Sequence, residues 1–226
     1  MYLLQYTKCY NLGMILYHGS KEIIKSPRVH GSSEQNDYGP AFYMTSDLES
    51  AHEWACRNNS VGYVNVYELD KRGLKLLDLT DASKWSVLNW LAILLHNRSL
   101  ESGFIRFFAS RLRFIEEQYY IDIEQYDLVK GYRADDAYFR FPLDFVRGNL
   151  TLNQLEEAFK LGELGIQYVT ISKKCMDKLK YKESFLSKEK YINQYFENIN
   201  RATKRFDDLN KDEEGIRVQD LMRQNK

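Results

Sequence analysis

Proline is scarce in this chain and paired cysteine is missing. Only three prolines and twelve glycines occur among 226 residues, and no repeat or low-complexity linker interrupts them, which argues against a string of small modules. The three cysteines, Cys9, Cys56 and Cys175, have no paired spacing; an odd, scattered set fits reduced thiols in a cytosol rather than a disulfide framework or a zinc site. Net charge is also absent. The 32 basic residues balance 32 acidic ones, so no overall field draws the chain to nucleic acid or an anionic membrane. No apolar run approaches the length of a membrane span; the best, "VLNWLAILL" at 87–95, has nine residues and suits a buried helix. The N-terminus has no charged n-region followed by an apolar h-region and cleavage site, so no signal peptide is expected and the expected location is cytoplasmic. C-x-x-C, H-E-x-x-H, P-loop and G-x-G-x-x-G spacings are missing too, which leaves no signal for a metal site or a Rossmann-type dinucleotide site.

What is present is material for a substantial core, with 44% apolar and 14% aromatic residues. That length and composition suit one domain with an appendage. Met14 directly precedes an apolar, β-prone run, so residues 1–13 read as an N-terminal extension. Strands are expected at "ILYHGS" (15–20), "AFYMT" (41–45), "GYVNVYEL" (62–69), "LKLLDL" (74–79), "YDLVKGY" (126–132) and "IQYVTIS" (166–172). Ser46 with Glu49 has the pattern of a capping box and opens a helix running to about Arg57. Residues 84–97 predict a fully buried helix, 103–118 an amphipathic one, and 151–162 a short helix capped by Thr151. From about 182 the chain turns polar, with 14 Lys/Arg and 10 Asp/Glu between 173 and 226. Tyr191, Tyr195, Ile199, Ala202 and Phe206 recur there at helical spacing. The expected division is therefore an extension at 1–13, a domain at 14–181 and a C-terminal helical tail at 182–226, its last dozen residues frayed.

Three strand-borne patterns carry chemistry. His18-Gly19-Ser20 ends one strand with an imidazole, a bare backbone and a hydroxyl. Gly39-Pro40-Ala41-Phe42-Tyr43 introduces another that presents a tyrosine, and Gln167-Tyr168-Val169 opens a late one with a polar side chain. Each pattern alone is an ordinary turn, a core tyrosine or a solvated amide. Their order is the informative feature.

That order resembles the diphtheria-toxin and poly(ADP-ribose) polymerase branch of the ADP-ribosyltransferases, whose motifs read His-Gly-(Ser/Thr), Gly-x-Gly-(Ile/Phe)-Tyr and Glu-Tyr-(Ile/Val). The stretch from 14 to about 180 also resembles a bacterial family of uncharacterised proteins placed in that fold group. Ala41 stands where the second glycine is usual, and Gln167 where the catalytic glutamate is usual. The resemblance implies an α+β fold of two small, mostly antiparallel, split β-sheets packed together, with helical insertions. It implies NAD as a substrate, mono-ADP-ribosyl transfer to a protein or nucleic acid, and a toxin or effector role restrained by a small inhibitory partner. Chain elongation in that branch depends on the missing glutamate.

The chemistry of NAD cleavage agrees with these positions. Breaking the nicotinamide–ribose bond creates an oxocarbenium ion, so nicotinamide must be held while charge at the sugar is stabilised. Gly19 leaves its backbone open to a carboxamide, and Ser20 lies beside it. His18 can hydrogen-bond a ribose hydroxyl. Tyr43 can stack on the cationic ring, with Trp54 or His52 as a second aromatic, and Trp54 alone also suits a core. The helix "SAHEWA", which carries Ser50 and Trp54, resembles the small-residue helix lining the nicotinamide pocket in that branch. Gln167 can accept from the ribose but supplies no charge. In the polar segment "GYRADDAYFRFP" (131–142), Arg133 can pair with a phosphate or lie in a surface pair; Asp135 or Asp136 can orient an acceptor, restore the missing negative charge or cap a helix. His30 and His96 read as structural. The rival expectations are a catalytically silent binding module of the same fold and an NAD glycohydrolase.

Overall fold

The computed structural model describes residues 13–29, 31–33, 35–57, 59–134, 139–161, 165–207 and 214–225. Most of the expected extension, together with Cys9, His30, Asp135 and Asp136, lies outside the described residues.

Six strands form where they were expected, β1 (Met14–Ser20), β2 (Phe42–Thr45), β3 (Tyr63–Leu69), β4 (Leu76–Asp78), β5 (Leu128–Tyr132) and β6 (Ile166–Thr170), and a seventh, β7 (Leu179–Leu186), was not expected. β1 and β3 pair antiparallel from Met14↔Leu69 to Ser20↔Tyr63, and β7 lies antiparallel on the other side of β3. In the second group β2 pairs antiparallel with β6 and β6 with β5, while β4 joins β5 in parallel. The two groups meet at β1 and β2, where the ladder is a single pair, Tyr17↔Thr45. Two separate packed sheets were expected; among the described residues the strands instead form one mixed seven-stranded sheet, β4-β5-β6-β2-β1-β3-β7. The class is α+β.

Eight α-helices are described: α1 (Leu48–Cys56), α2 (Val87–Asn97), α3 (Ser102–Tyr119), α4 (Arg140–Arg147), α5 (Leu152–Leu161), α6 (Lys173–Met176), α7 (Lys190–Asp207) and α8 (Val218–Gln224). None of the described helices is long and apolar enough to cross a membrane. α1 is capped by Asp47, one residue later than expected: its carboxylate accepts from Ser50 N–H at 2.8 Å, while Thr45 Oγ1 accepts from Asp47 N–H at 3.1 Å. The aspartate carboxylate meets the N–H three residues on and fills the cap, so Ser46 is not needed. Thr151 caps α5 as expected, reciprocally with Gln154.

The segment expected as a polar loop at 131–142 is not all loop. β5 runs to Tyr132, and α4 starts at Arg140 with Pro142 in its first turn, where a missing N–H costs nothing. α4 buries Phe141 and Phe145 and stops at Gly148, whose φ of 82° suits a helix C-cap.

The tail expected at 182–226 is integral to the domain. β7 crosses the 181/182 boundary and lies along β3. Tyr191 of α7 is buried, stacks on His52 at 4.4 Å and donates its hydroxyl to Glu49 at 2.8 Å; the side chains of Tyr195, Ile199, Ala202 and Phe206 lie outside those described. The last residues, expected to fray, form α8, and Leu152 N–H donates to Ile216 C=O at 2.7 Å just before it. Val218 and Leu221 of α8 join Trp90, Phe141, Phe145 and Leu155 in the main core, to which β5 and β6 contribute Val129 and Val169. Leu16, Met44, Tyr67 and Tyr168 belong to a second cluster.

Candidate functional site

With β1 and β2 paired only at Tyr17↔Thr45, the residues that follow in β1 and precede in β2 are not zipped together. A cleft of about 790 Å³ opens there, a size typical of small-molecule sites. His18, Gly19, Ser20, Tyr43, Trp54, Arg133 and Gln167, expected from the sequence as site residues, all line it.

His18 bridges the gap between the strands. Its Nδ1 lies 2.6 Å from the Tyr43 carbonyl oxygen, which can only accept, so Nδ1 carries the proton and Nε2 keeps its lone pair. Burial, with a smaller push from the Arg57 guanidinium, lowers the His18 pKa to about 4. The imidazole is therefore neutral near pH 7 and offers an acceptor.

Gln167 is 3% exposed, and its Nε2 donates to Asp37 Oδ2 and to the Tyr132 carbonyl oxygen, both at 3.1 Å. Those two acceptors fix the amide's orientation and leave Oε1 as its accepting atom. Asp37 also receives Arg98 and the Ala134 N–H. Burial raises the Asp37 pKa, and these donors offset only part of that rise.

The Tyr43 hydroxyl donates to Gly39 C=O at 2.5 Å and accepts from Tyr38 N–H at 3.2 Å, which pins the ring. Burial raises its pKa, so the phenol stays protonated. Trp54 is 8% exposed, its indole N–H has no hydrogen-bond partner among the described residues, and the Arg133 guanidinium lies over its ring at 4.7 Å. Ser20 Oγ donates to Glu22 C=O at 2.6 Å and receives Asn65 Nδ2 at 3.0 Å.

Gly19 has a role the sequence did not suggest. A Cβ there would strike the Ala51 carbonyl oxygen and sit 2.5 Å from the Ala55 nitrogen, so glycine is what lets α1 lie directly on β1.

Two expected positions are outside the cleft. Ser50 donates to its own helix cap, Asp47, at 2.6 Å and lines a different cavity, beside α7. His52 faces Tyr191 and Ser187 instead, so of the two proposed aromatics only Trp54 is at the cleft. The reason is helical position: two residues from Trp54, His52 points nearly the opposite way, while Ser50, on the same face as Trp54, lies one turn earlier. His96 lies away from the cleft in an exposed pair, 3.1 Å from Glu116.

Sequence reasoning missed Asp37, Arg98, Lys21 and Arg57, which also line the cleft. Lys21 directly follows the His-Gly-Ser pattern and Arg57 ends α1, so both were within reach of a local reading. Asp37, in the loop before Gly39, carried no periodic signal. Among the described residues four basic side chains stand against one carboxylate, a balance that suits an anionic ligand.

No curated protein and no solved structure matches the chain. A match over residues 14–181 to the model of DUF3990, described as a protein of unknown function, takes in every strand from β1 to the start of β7 and all the cleft-lining residues, and the chain belongs to that family.

Proposed function

We propose that the cleft binds NAD and that the protein transfers single ADP-ribosyl units from it to a macromolecule, within an ADP-ribosyltransferase-like split-sheet fold. One observation carries this reading: side chains from β1, β2 and β6 that match three motifs in order line the same cleft. The single-pair junction between the strand groups supports the split-sheet part of it.

The chemistry assigns each group a task. Tyr43 and Trp54 offer aromatic faces to the nicotinamide ring, which is cationic before cleavage; such contacts contribute about 0.5–2 kcal/mol. The lone pair on His18 Nε2 accepts from a ribose hydroxyl. Gln167 Oε1 accepts from the sugar where positive charge develops. Lys21, Arg57 and Arg133 offer cations for the pyrophosphate. As the leaving nicotinamide is neutral, positioning and departure supply most of the rate, and a neutral acceptor at 167 slows transfer without abolishing it. The resemblance that suggests this chemistry also suggests a toxin or effector held in check by a small partner protein.

A silent NAD-binding module is the second reading, favoured by the absence of a carboxylate at position 167. Incubation with NAD labelled in its adenylate half, in cell lysate, separates the readings. Label on protein or nucleic acid, with nicotinamide released in step, is the expected result. Free ADP-ribose without labelled macromolecule means a glycohydrolase. Thermal stabilisation by NAD without nicotinamide release means a binding module, and neither stabilisation nor release overturns the NAD reading.

A further inference from the structure

Asp37 is 5% exposed, and the four groups bound to its carboxylate all donate. Arg98 Nε and Nη2 reach Oδ1 at 3.0 and 2.7 Å, while Ala134 N–H and Gln167 Nε2 reach Oδ2 at 2.8 and 3.1 Å. Four donors occupy the lone-pair directions of an ionised carboxylate, which leaves neither room for a proton nor an acceptor for substrate. Asp37 therefore does not touch the sugar. It touches Gln167.

We propose that Asp37 and Gln167 act as one unit, in which Asp37 is the buried anion and positioning residue and Gln167 is the acceptor it aims into the cleft. The inference rests on the transfer reading above. An amide whose N–H is bound to a carboxylate is polarised, so that its oxygen accepts more strongly, by about 10–30% per linked bond. Tyr132 C=O holds the other amide hydrogen, so Oε1 cannot swing away without leaving two acceptors unpaired. The unit partly replaces a catalytic carboxylate, with its charge set one side chain further back.

The same geometry explains why position 167 carries an amide. A glutamate would aim a second carboxylate at Asp37 and at the Tyr132 carbonyl, three acceptors converging with no donor among them. Such a pair must share a proton, which raises its second pKa. Among the described residues the other charged or titratable groups facing the pair are Arg98, Arg133, His18, Tyr38, Tyr43 and Tyr132. The arginines stay charged, His18 is held neutral down to about pH 4, and burial holds all three phenols protonated. Between pH 5 and 8 the carboxyl pair is then what titrates among these groups.

The test compares wild type, Asp37→Asn, Gln167→Glu and the swap Asp37→Asn/Gln167→Glu. In melting curves from pH 5 to 8, Gln167→Glu should lose stability relative to wild type as pH rises, because its folded state holds the shared proton more tightly than the unfolded chain. The swap has one carboxylate and should track the wild-type slope, at a lower level because Ala134 N–H loses its acceptor. In nicotinamide release, Asp37→Asn should lower kcat about tenfold with KM for NAD within about twofold, the effect of trading a charge-assisted hydrogen bond for a neutral one. The swap should exceed Asp37→Asn at least about fivefold. The proposal is overturned if Gln167→Glu parallels wild type at every pH, or if the swap is no faster than Asp37→Asn. Should wild type release no nicotinamide, the transfer reading fails instead, and the pH slopes alone decide the pair. Asp37→Asn leaves Arg98 opposite a neutral group and risks misfolding; Gln167→Glu retains Asp37 and keeps the pH test intact.

Discussion

His18 is kept neutral by its surroundings, and that neutrality has a cost in acid. Its folded pKa of about 4 lies below the ordinary value of 6.5, so the folded state binds the proton less well than the unfolded chain. The stability at stake is intact above pH 6.5 and is lost as pH falls towards 4. Wild type should lose about 2 kcal/mol more than His18→Gln between pH 7 and pH 5, read from urea midpoints. Equal losses would mean that the imidazole is not desolvated as the fold suggests. Tyr43 allows a cleaner division of labour. Tyr43→Phe keeps the ring and gives up the hydroxyl's two bonds to Gly39 and Tyr38, so NAD should still raise its melting temperature. Tyr43→Ala removes the ring, and that shift should vanish; an unchanged shift in Tyr43→Ala would remove Tyr43 from the nicotinamide slot.

At the scale of elements, the contact that decides the site is α1 on β1. Gly19 lets the helix backbone approach the strand, and the small residues Ala51 and Ala55 complete the fit with Val64. This close packing carries Trp54 to the cleft on one side of α1 and leaves Glu49 and His52 to meet α7 on another. Gly19→Val drives side-chain carbon into helix backbone, which cannot yield as a flexible side chain does. Its expected effect is a loss of stability of about 3 kcal/mol or more, visible as a lower melting temperature without NAD. A Gly19→Val protein that melts like wild type but binds no NAD would restore the glycine to a purely ligand-facing role.

At the scale of the molecule, the folding unit is longer than the family segment. The match to residues 14–181 ends inside β7, and residues beyond it fill the core from a distance: Val218 and Leu221 pack beside Trp90 and Phe145. Full burial of each such side chain is worth about 1.5–3 kcal/mol, and a domain's whole stability is only about 5–15 kcal/mol. A chain ending at 181 loses these contacts together with most of the β7 ladder and should show no cooperative thermal transition by circular dichroism. Cooperative melting of that fragment near the full-length temperature would show that β7, α7 and α8 are the appendage the sequence suggested.

Much of the local structure was legible because its causes are local. A short apolar, β-prone run specified β1 and alternation specified β3, and Thr151 marks its helix start through backbone chemistry within one turn. The motif residues His18, Tyr43 and Gln167 were legible by their order along the chain, and their strands did bring them to one cleft. Phase and distance were not. Which of Ser50, His52 and Trp54 meets the cleft depends on how α1 is rotated against β1, and that is set by Gly19 and the helix packed behind. Tertiary structure alone made Asp37 part of the site, since its partners Arg98, Ala134 and Gln167 lie 61, 97 and 130 positions away. A lone aspartate in a loop is ordinarily solvated; only when the fold excludes water from it and converges four donors on it does it become a buried anion.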